Sequence, residues 1–333
     1  MPSSIQSVLL AVLVAGSFVL PALAQTDRAS VAGVITDKKA IAESGRSHKA
    51  SKLVVADTRV GSQAVTSSKS MVFIKGGRFL MGTSDQSAWP AETPVHEVEV
   101  HSFWLDVYPV TVGQFAGFVK ATGYKTESER FGWSGVFDVR QHDWTRVDGA
   151  YWHHPEGPSS KSARLNEPVT QVSWNDAVAY CGWTNKRLPT EAEFEYAARG
   201  GLAGKKYSWG NELRPQGKYR ANYWQGTFPA KDQGEDGYAG RSPVGSFPPN
   251  GYGLYDITGN VWEWCADWFD DKYYEKSPRD DPHGPSTGTD RVTRGGSWLC
   301  SANYCTGYRV ASRNHATPDS ALNNLGFRCV TDK

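Results

Sequence analysis

Cysteine is scarce in this chain: five in 333 residues. None forms a C-x-x-C step, and no second pair or histidine pair stands at zinc spacing. That excludes a zinc finger and a thioredoxin-like redox site. An odd count leaves one thiol over under any full pairing. A surplus of one charge is also missing. Lys and Arg number 36 against 35 Asp and Glu, a net +1, so the charge balance makes no case for nucleic acid or an acidic membrane. Beyond Val8 to Leu20 there is no apolar run of note, and that one is too short to span a bilayer. No nicotinamide or flavin fingerprint occurs: Gly251-Tyr252-Gly253 lacks the strand–turn–helix setting. There is no Ser-His-Asp pattern, no EF-hand loop and no internal repeat.

What is plentiful is glycine (34), proline (18) and tryptophan (13). Many turns and large aromatic anchors suggest a loop-rich fold rather than a helix bundle. The short apolar run is followed by Ala22-Leu23-Ala24 before Gln25. This reads as a secretory signal over 1–24, although no Lys or Arg precedes it. The alternative is an uncleaved interfacial anchor. Export permits disulfides. The lack of any Asn-x-Ser/Thr sequon favours a bacterial periplasm or secretion over the endoplasmic reticulum lumen. Residues 25–70 are rich in Ser, Ala, Thr, Lys and Val without helical or strand period, and read as a linker.

The folded domain is expected over 71–333. Met71 to Ile74 reads as a strand, Gly76-Gly77 as a turn, and Phe79 to Gly82 as its partner. Val95 to Val100 reads as a half-buried strand, and Phe103-Trp104-Leu105 continues the sheet. Phe115, Phe118 and Val119 stand at helical spacing within 112–122. Ser173 is an N-cap for a helix over 174–183. Thr190-Glu191-Ala192-Glu193 is a capping box for a helix ended by Gly200-Gly201. Beyond that, short strands and long ordered loops are expected, held by something other than regular hydrogen bonding.

Two segments carry oxygen atoms suited to calcium: Asn222 to Tyr238, and Asp256 to Glu263. By spacing alone, solvated turn acids are the simpler reading. Cys300 and Cys305 have four residues between them, in Arg294-Gly295-Gly296-Ser297-Trp298-Leu299-Cys300 and onward. Such a pair can form a local disulfide or hold Cu(I) between two thiolates, and spacing alone favours the disulfide.

This segment resembles the formylglycine-generating enzymes, the oxidases that convert a sulfatase cysteine to formylglycine. The matching pieces are Gly295-Gly296-Ser297-x-x-Cys300-x4-Cys305, Tyr308-Arg309, Arg313, Thr317-Pro318-Asp319-Ser320 and Asn324-Leu325-Gly326-Phe327-Arg328-Cys329. The resemblance runs from about Met71 to Cys329. It implies one α+β domain of the C-type-lectin-like class with little regular structure. It turns the reading of Cys300 and Cys305 toward Cu(I)-binding catalytic thiols, with Ser297 supporting them. It implies O2 and a thiol reductant as co-reactants and an unfolded sulfatase with a Cys-x-Pro-x-Arg segment as partner. Trp152, Ser134 and Arg309 are carried over as substrate-binding residues, although core packing would equally explain Trp152. Some relatives have Asp where this chain has Trp133, which leaves the anchor for the substrate arginine open. Calcium would take Asn222 and Asp236 side chains with Tyr223 and Tyr238 carbonyls. A second ion would take Asp256 and Glu263 side chains with Gly259 and Val261 carbonyls. Cys181 and Cys329 match a family disulfide, leaving Cys265 single. A monomer without membrane or nucleic-acid partners is expected. The competing readings are a related exported maturation enzyme working on another peptide, and a non-catalytic lectin-like binding module.

Overall fold

A computed structural model describes residues 70–332. The signal expected over 1–24 and all but the last residue of the linker expected over 25–70 lie outside these residues.

Helices form where the sequence supplies both ends. In α1 (Val112–Thr122), Gln114 N–H donates to the Thr111 hydroxyl and the Gln114 side chain accepts from Thr111 N–H. Gly123, at φ 68°, closes it. The same reciprocal cap starts α3 (Trp174–Trp183) with Ser173 and Asp176, and α4 (Glu191–Arg199) with Thr190 and Glu193. It also starts a short helix that no periodicity announced, α2 (Glu127–Phe131), with Thr126 and Glu129. Each box satisfies two N–H groups that would otherwise lack a partner.

The strands pair at long range. β1 (Met71–Ile74) lies antiparallel to β4 (Phe103–Asp106), and β11 (Val330–Thr331) adds to the other edge of β4. β2 (Gly77–Met81) pairs instead with β3 (His96–Val100). The expectation that Phe79 to Gly82 partners β1 is therefore corrected. Gly76 explains why. Its N–H donates to the Ser102 hydroxyl at 2.9 Å, and a Cβ there would lie 2.4 Å from the Val100 carbonyl. The chain is pressed against the β3–β4 connection at the point where a hairpin would have had to turn.

β5 (Trp133–Asp138) and β6 (Asp143–Asp148) form a hairpin. The remaining sheet has the order β10 (Leu325–Gly326), β7 (Trp262–Trp268), β8 (Arg291–Arg294), β9 (Arg313–Ala316). Among the described residues two large apolar cores result, with a smaller third of Phe137, Trp224, Trp298 and Leu299. One gathers Phe115, Trp152, Tyr180, Trp264 and Phe327 with Cys181, Cys300, Cys305 and Cys329. The other gathers Phe103, Leu105, Phe194, Leu254 and Val292 with Cys265. The fold is α+β and loop-rich, as composition suggests, and of the C-type-lectin-like class, as the resemblance implies. Among the described residues no helix is long and apolar enough to cross a membrane.

Candidate functional site: a buried cysteine pair

The cysteine loop follows β8. Gly295 and Gly296 sit at φ 92° and 76°, a region that side chains disfavour. A Cβ on Gly296 would lie 2.4 Å from the carbonyl carbon of Gly307. A Cβ on Gly307 would lie 2.6 Å from the Trp262 ring and 2.8 Å from Cys300 Sγ. Two backbone segments thus cross in contact, and the crossing brings Cys300 and Cys305 to a Cα separation of 5.2 Å, joined as a disulfide. Cys300 is fully buried, and Cys305 is 9% exposed.

Ser297 stands beside the pair. Its backbone N–H donates to Cys300 Sγ at 3.4 Å. Its hydroxyl accepts from Asn324 Nδ2 at 3.0 Å and from Leu299 N–H at 3.3 Å. Support for the sulfur therefore comes through the main chain, and the hydroxyl is held by Asn324. Sequence reasoning noted Asn324 only as part of a longer match. The 300–305 loop is tied down further by residues that no motif singled out. Trp224 N–H donates to the Cys300 carbonyl at 3.0 Å. Phe228 stacks on Tyr304 at 4.1 Å. The Asn303 side chain accepts from Phe228 N–H and donates to its carbonyl, both at 3.3 Å.

The other expected site residues fall in three places. Trp152 is buried in the same core as the pair, edge-on to Phe115 at 5.6 Å, and its indole N–H has no partner. Ser134 is buried, its hydroxyl donating to the Ala150 carbonyl at 3.0 Å. Arg309 turns inward: its guanidinium grips Glu92 with contacts of 2.6 and 2.7 Å.

For calcium, no three His, Cys, Asp or Glu side chains among the described residues converge on one point, so a cation here must lean on backbone carbonyls. In the first loop, Asp236 accepts from Tyr223 N–H at 3.2 Å and Tyr238 N–H at 3.0 Å. Burial raises its pKa, and Asp232 adds to the rise. Asn222 donates to the Gly240 carbonyl at 2.8 Å, and Gln225 donates to the Tyr223 carbonyl. In the second loop, Glu263 is gripped by Arg328 at 2.7 and 2.8 Å. Asp256 accepts from Gly245 N–H at 2.6 Å, and burial pushes it up to about 6. One guanidinium faces two buried carboxylates. Both loops bury carboxylate oxygens, a donor type that suits a divalent cation. Cys181 and Cys329 are buried thiols whose sulfurs lie 3.0 Å apart. Cys265 is a buried single thiol.

Fold and site together define a class: a loop-rich α+β domain that buries a cysteine pair beneath crossing glycine backbones. The sequence model of one family, described as the sulfatase-modifying factor enzyme 1-like domain, matches residues 56–333. The chain belongs to this family. A formylglycine-generating enzyme of Thermomonospora curvata is 55% identical over 284 residues, 79% of this chain and 94% of that protein. A Bos taurus relative named as inactive Cα-formylglycine-generating enzyme 2 is 46% identical over 280 residues, 78% of this chain and 87% of that one. Among solved structures, PvdO from Pseudomonas aeruginosa superposes with a TM-score of 0.62 at 30% identity, covering 78% of this chain and 93% of that one.

Proposed function

We propose that this chain is a formylglycine-generating enzyme. It converts the cysteine of a Cys-x-Pro-x-Arg segment in an unfolded sulfatase to Cα-formylglycine, with O2 and a thiol reductant. Cys300 and Cys305, once reduced, hold Cu(I), and calcium occupies the loops at Asn222–Tyr238 and Asp256–Glu263. The protein works after export, in a periplasm or outside the cell. The observation that carries this reading is the buried pair itself: two sulfurs on one short loop, the donor set that a soft monovalent ion selects. A relative 46% identical is named inactive, so overall likeness alone does not carry the reading.

When bound, Cu(I) supplies the place where a substrate thiolate and O2 meet. The rest is done by the chain. Reduction of the 300–305 bond frees both sulfurs. Ser297 N–H stabilises charge on Cys300 Sγ, and Asn324 fixes Ser297. Burial of the pair keeps bulk water off the sulfurs. Trp152, Trp224 and Trp298 each bury an indole N–H without a partner. The test is direct. Reduced protein loaded with copper is incubated with O2, reductant and a Cys-x-Pro-x-Arg peptide, and the peptide is weighed. A mass unchanged after full reduction and loading would sink the reading.

A further inference from the structure

A buried chain of ions runs from the end of α4. Arg199 Nε and Nη2 donate to Glu195 at 3.1 and 2.6 Å. Glu195 also accepts from Arg294 at 2.5 Å. Arg294 donates to Glu191 at 3.2 Å, and Glu191 accepts from Arg313 at 2.6 and 2.8 Å. All five residues are buried. Three guanidinium groups thus share two carboxylates, and the chain holds one positive charge more than it balances. Asp267, whose carboxylate accepts from Glu191 N–H, does not supply the difference. Burial and the charge of Glu191 raise its pKa well above the usual carboxylate range. A buried charge without a counter-charge is costly.

The chain of ions opens at Arg199, which lines a pocket of about 360 Å³. Small-molecule sites run from about 300 to 1,000 Å³. Arg199 Nη2 also donates to the Gly82 carbonyl at 2.9 Å, and its Nη1 has no partner among the described residues. Arg309, Lys205 and Lys206 line the same pocket. Glu92 grips Arg309, and Asp85 lies 3.3 Å from Lys206. Lys205 has no carboxylate partner among the described residues. Two cations of the wall, Arg199 and Lys205, are therefore left without an acid of their own. Leu80 of β2 and Val95, 58% and 37% exposed, supply apolar surface to the pocket. Neither cysteine of the 300–305 pair lines it. We propose that this pocket binds a small organic phosphate monoester, its head group on Arg199 and Lys205 and its carbon body on Leu80 and Val95. Such a head group carries about −1.5 to −2 near pH 7, which matches two unpaired cations. An arginine edge supplies directed donors to phosphate oxygens, and a lysine supplies a point charge. The inference does not depend on the proposed oxidation.

The experiment titrates the full-length protein with phenyl phosphate by calorimetry at low salt. Inorganic phosphate and phenylacetate run alongside. Phenyl phosphate should bind saturably at one site and more tightly than either, since the first lacks the body and the second carries a single charge. Lys205→Gln should weaken phenyl phosphate about threefold to fivefold, the range of an exposed ion pair. Arg199→Lys keeps the charge that Glu195 needs but loses the planar fork, and should weaken it about tenfold. Leu80→Ser should weaken phenyl phosphate and leave inorganic phosphate unchanged. Lys120→Gln, on α1 and outside the pocket, should match the wild type. Lys205 and Leu80 are exposed, so those two variants test the site even if Arg199→Lys does not fold. No saturable binding of phenyl phosphate overturns the proposal. So does phenylacetate binding as tightly, or Lys120→Gln weakening phenyl phosphate as much as Lys205→Gln does.

Discussion

Cys300 and Cys305 owe their position to what is missing at Gly307, where a side chain would press on Cys300 Sγ and the Trp262 ring. The loop that carries the pair is also held by contacts that do not involve the sulfurs: Trp224 N–H to the Cys300 carbonyl, Asn303 to the Phe228 main chain, and Tyr304 stacked on Phe228. Cys300→Ser and Cys305→Ser should therefore each abolish tight Cu(I) binding and peptide oxidation while shifting the unfolding midpoint little, because hydroxyls are poor Cu(I) ligands. Competition titration with a Cu(I) chelator on fully reduced protein checks this. Wild type that binds no better than Cys300→Ser would refute the metal role. Asp267 gives a second test at this scale. It is fully buried, and burial together with the neighbouring Glu191 raises its pKa well above the usual carboxylate range. The folded state thus binds its proton more tightly than the unfolded state. The contribution of this group to stability is full at pH below about 4 and falls as pH rises from there toward the raised native value. Asp267→Asn keeps an acceptor for Glu191 N–H, which donates to Asp267 at 2.8 Å, and cannot ionise. Its stability relative to wild type should rise between pH 4 and 7. Urea midpoints across that range measure it, and a constant difference would count against the buried neutral acid.

Among the elements, α3 and α4 were readable because a cap is a local device, whereas α2 carries the same box at Thr126 and Glu129 but is too short to show a helical period. Thr190 and Glu193 satisfy each other's N–H groups without help from the rest of the chain. The hairpin β5–β6 was not readable, since its strands mix buried and exposed residues without a clean alternation. The loops around Asp236 and Asp256 lie among the long connections after residue 200. Each holds partly or fully buried carboxylate that local hydrogen bonds do not balance. A cation bound only by the folded state would stabilise it by mass action. Chelation should accordingly lower the melting temperature, and readdition of calcium should restore it. Asp236→Asn should blunt the response. A melting curve that does not move after confirmed removal of metal would refute the stabilising role.

At the scale of the whole molecule, distant segments are joined by buried ion pairs. Glu191 of α4 meets Arg313 at 2.6 and 2.8 Å and Arg294 at 3.2 Å. Arg294 also reaches Glu195 at 2.5 Å, and Arg328 grips Glu263. Burial alone would raise the Glu191 carboxyl, but the two guanidinium groups outweigh it and hold it below its ordinary value. Such pairs need not add net stability, yet removing one partner strands a buried charge, at about 3–5 kcal/mol. They fix which loops meet. Cys181 and Cys329, 148 positions apart with sulfurs at 3.0 Å, stand where a covalent link would do the same. Peptide mapping without reduction should show them joined and Cys265 free. Cys181→Ser should cost roughly 2–5 kcal/mol while leaving Cu(I) affinity intact. A link through Cys265 would sink that pairing. The sequence by itself determined the ends of α3 and α4, the loop-rich class and the identity of the cysteine pair, because caps, composition and a short spacing act within a few residues. Only the tertiary structure decided that β2 turns to β3, that Arg309 faces Glu92, and that Ser297 supports the sulfur through its main chain. Those outcomes depend on contacts between residues far apart in the chain, where burial and charge balance choose among partners that the sequence leaves equivalent.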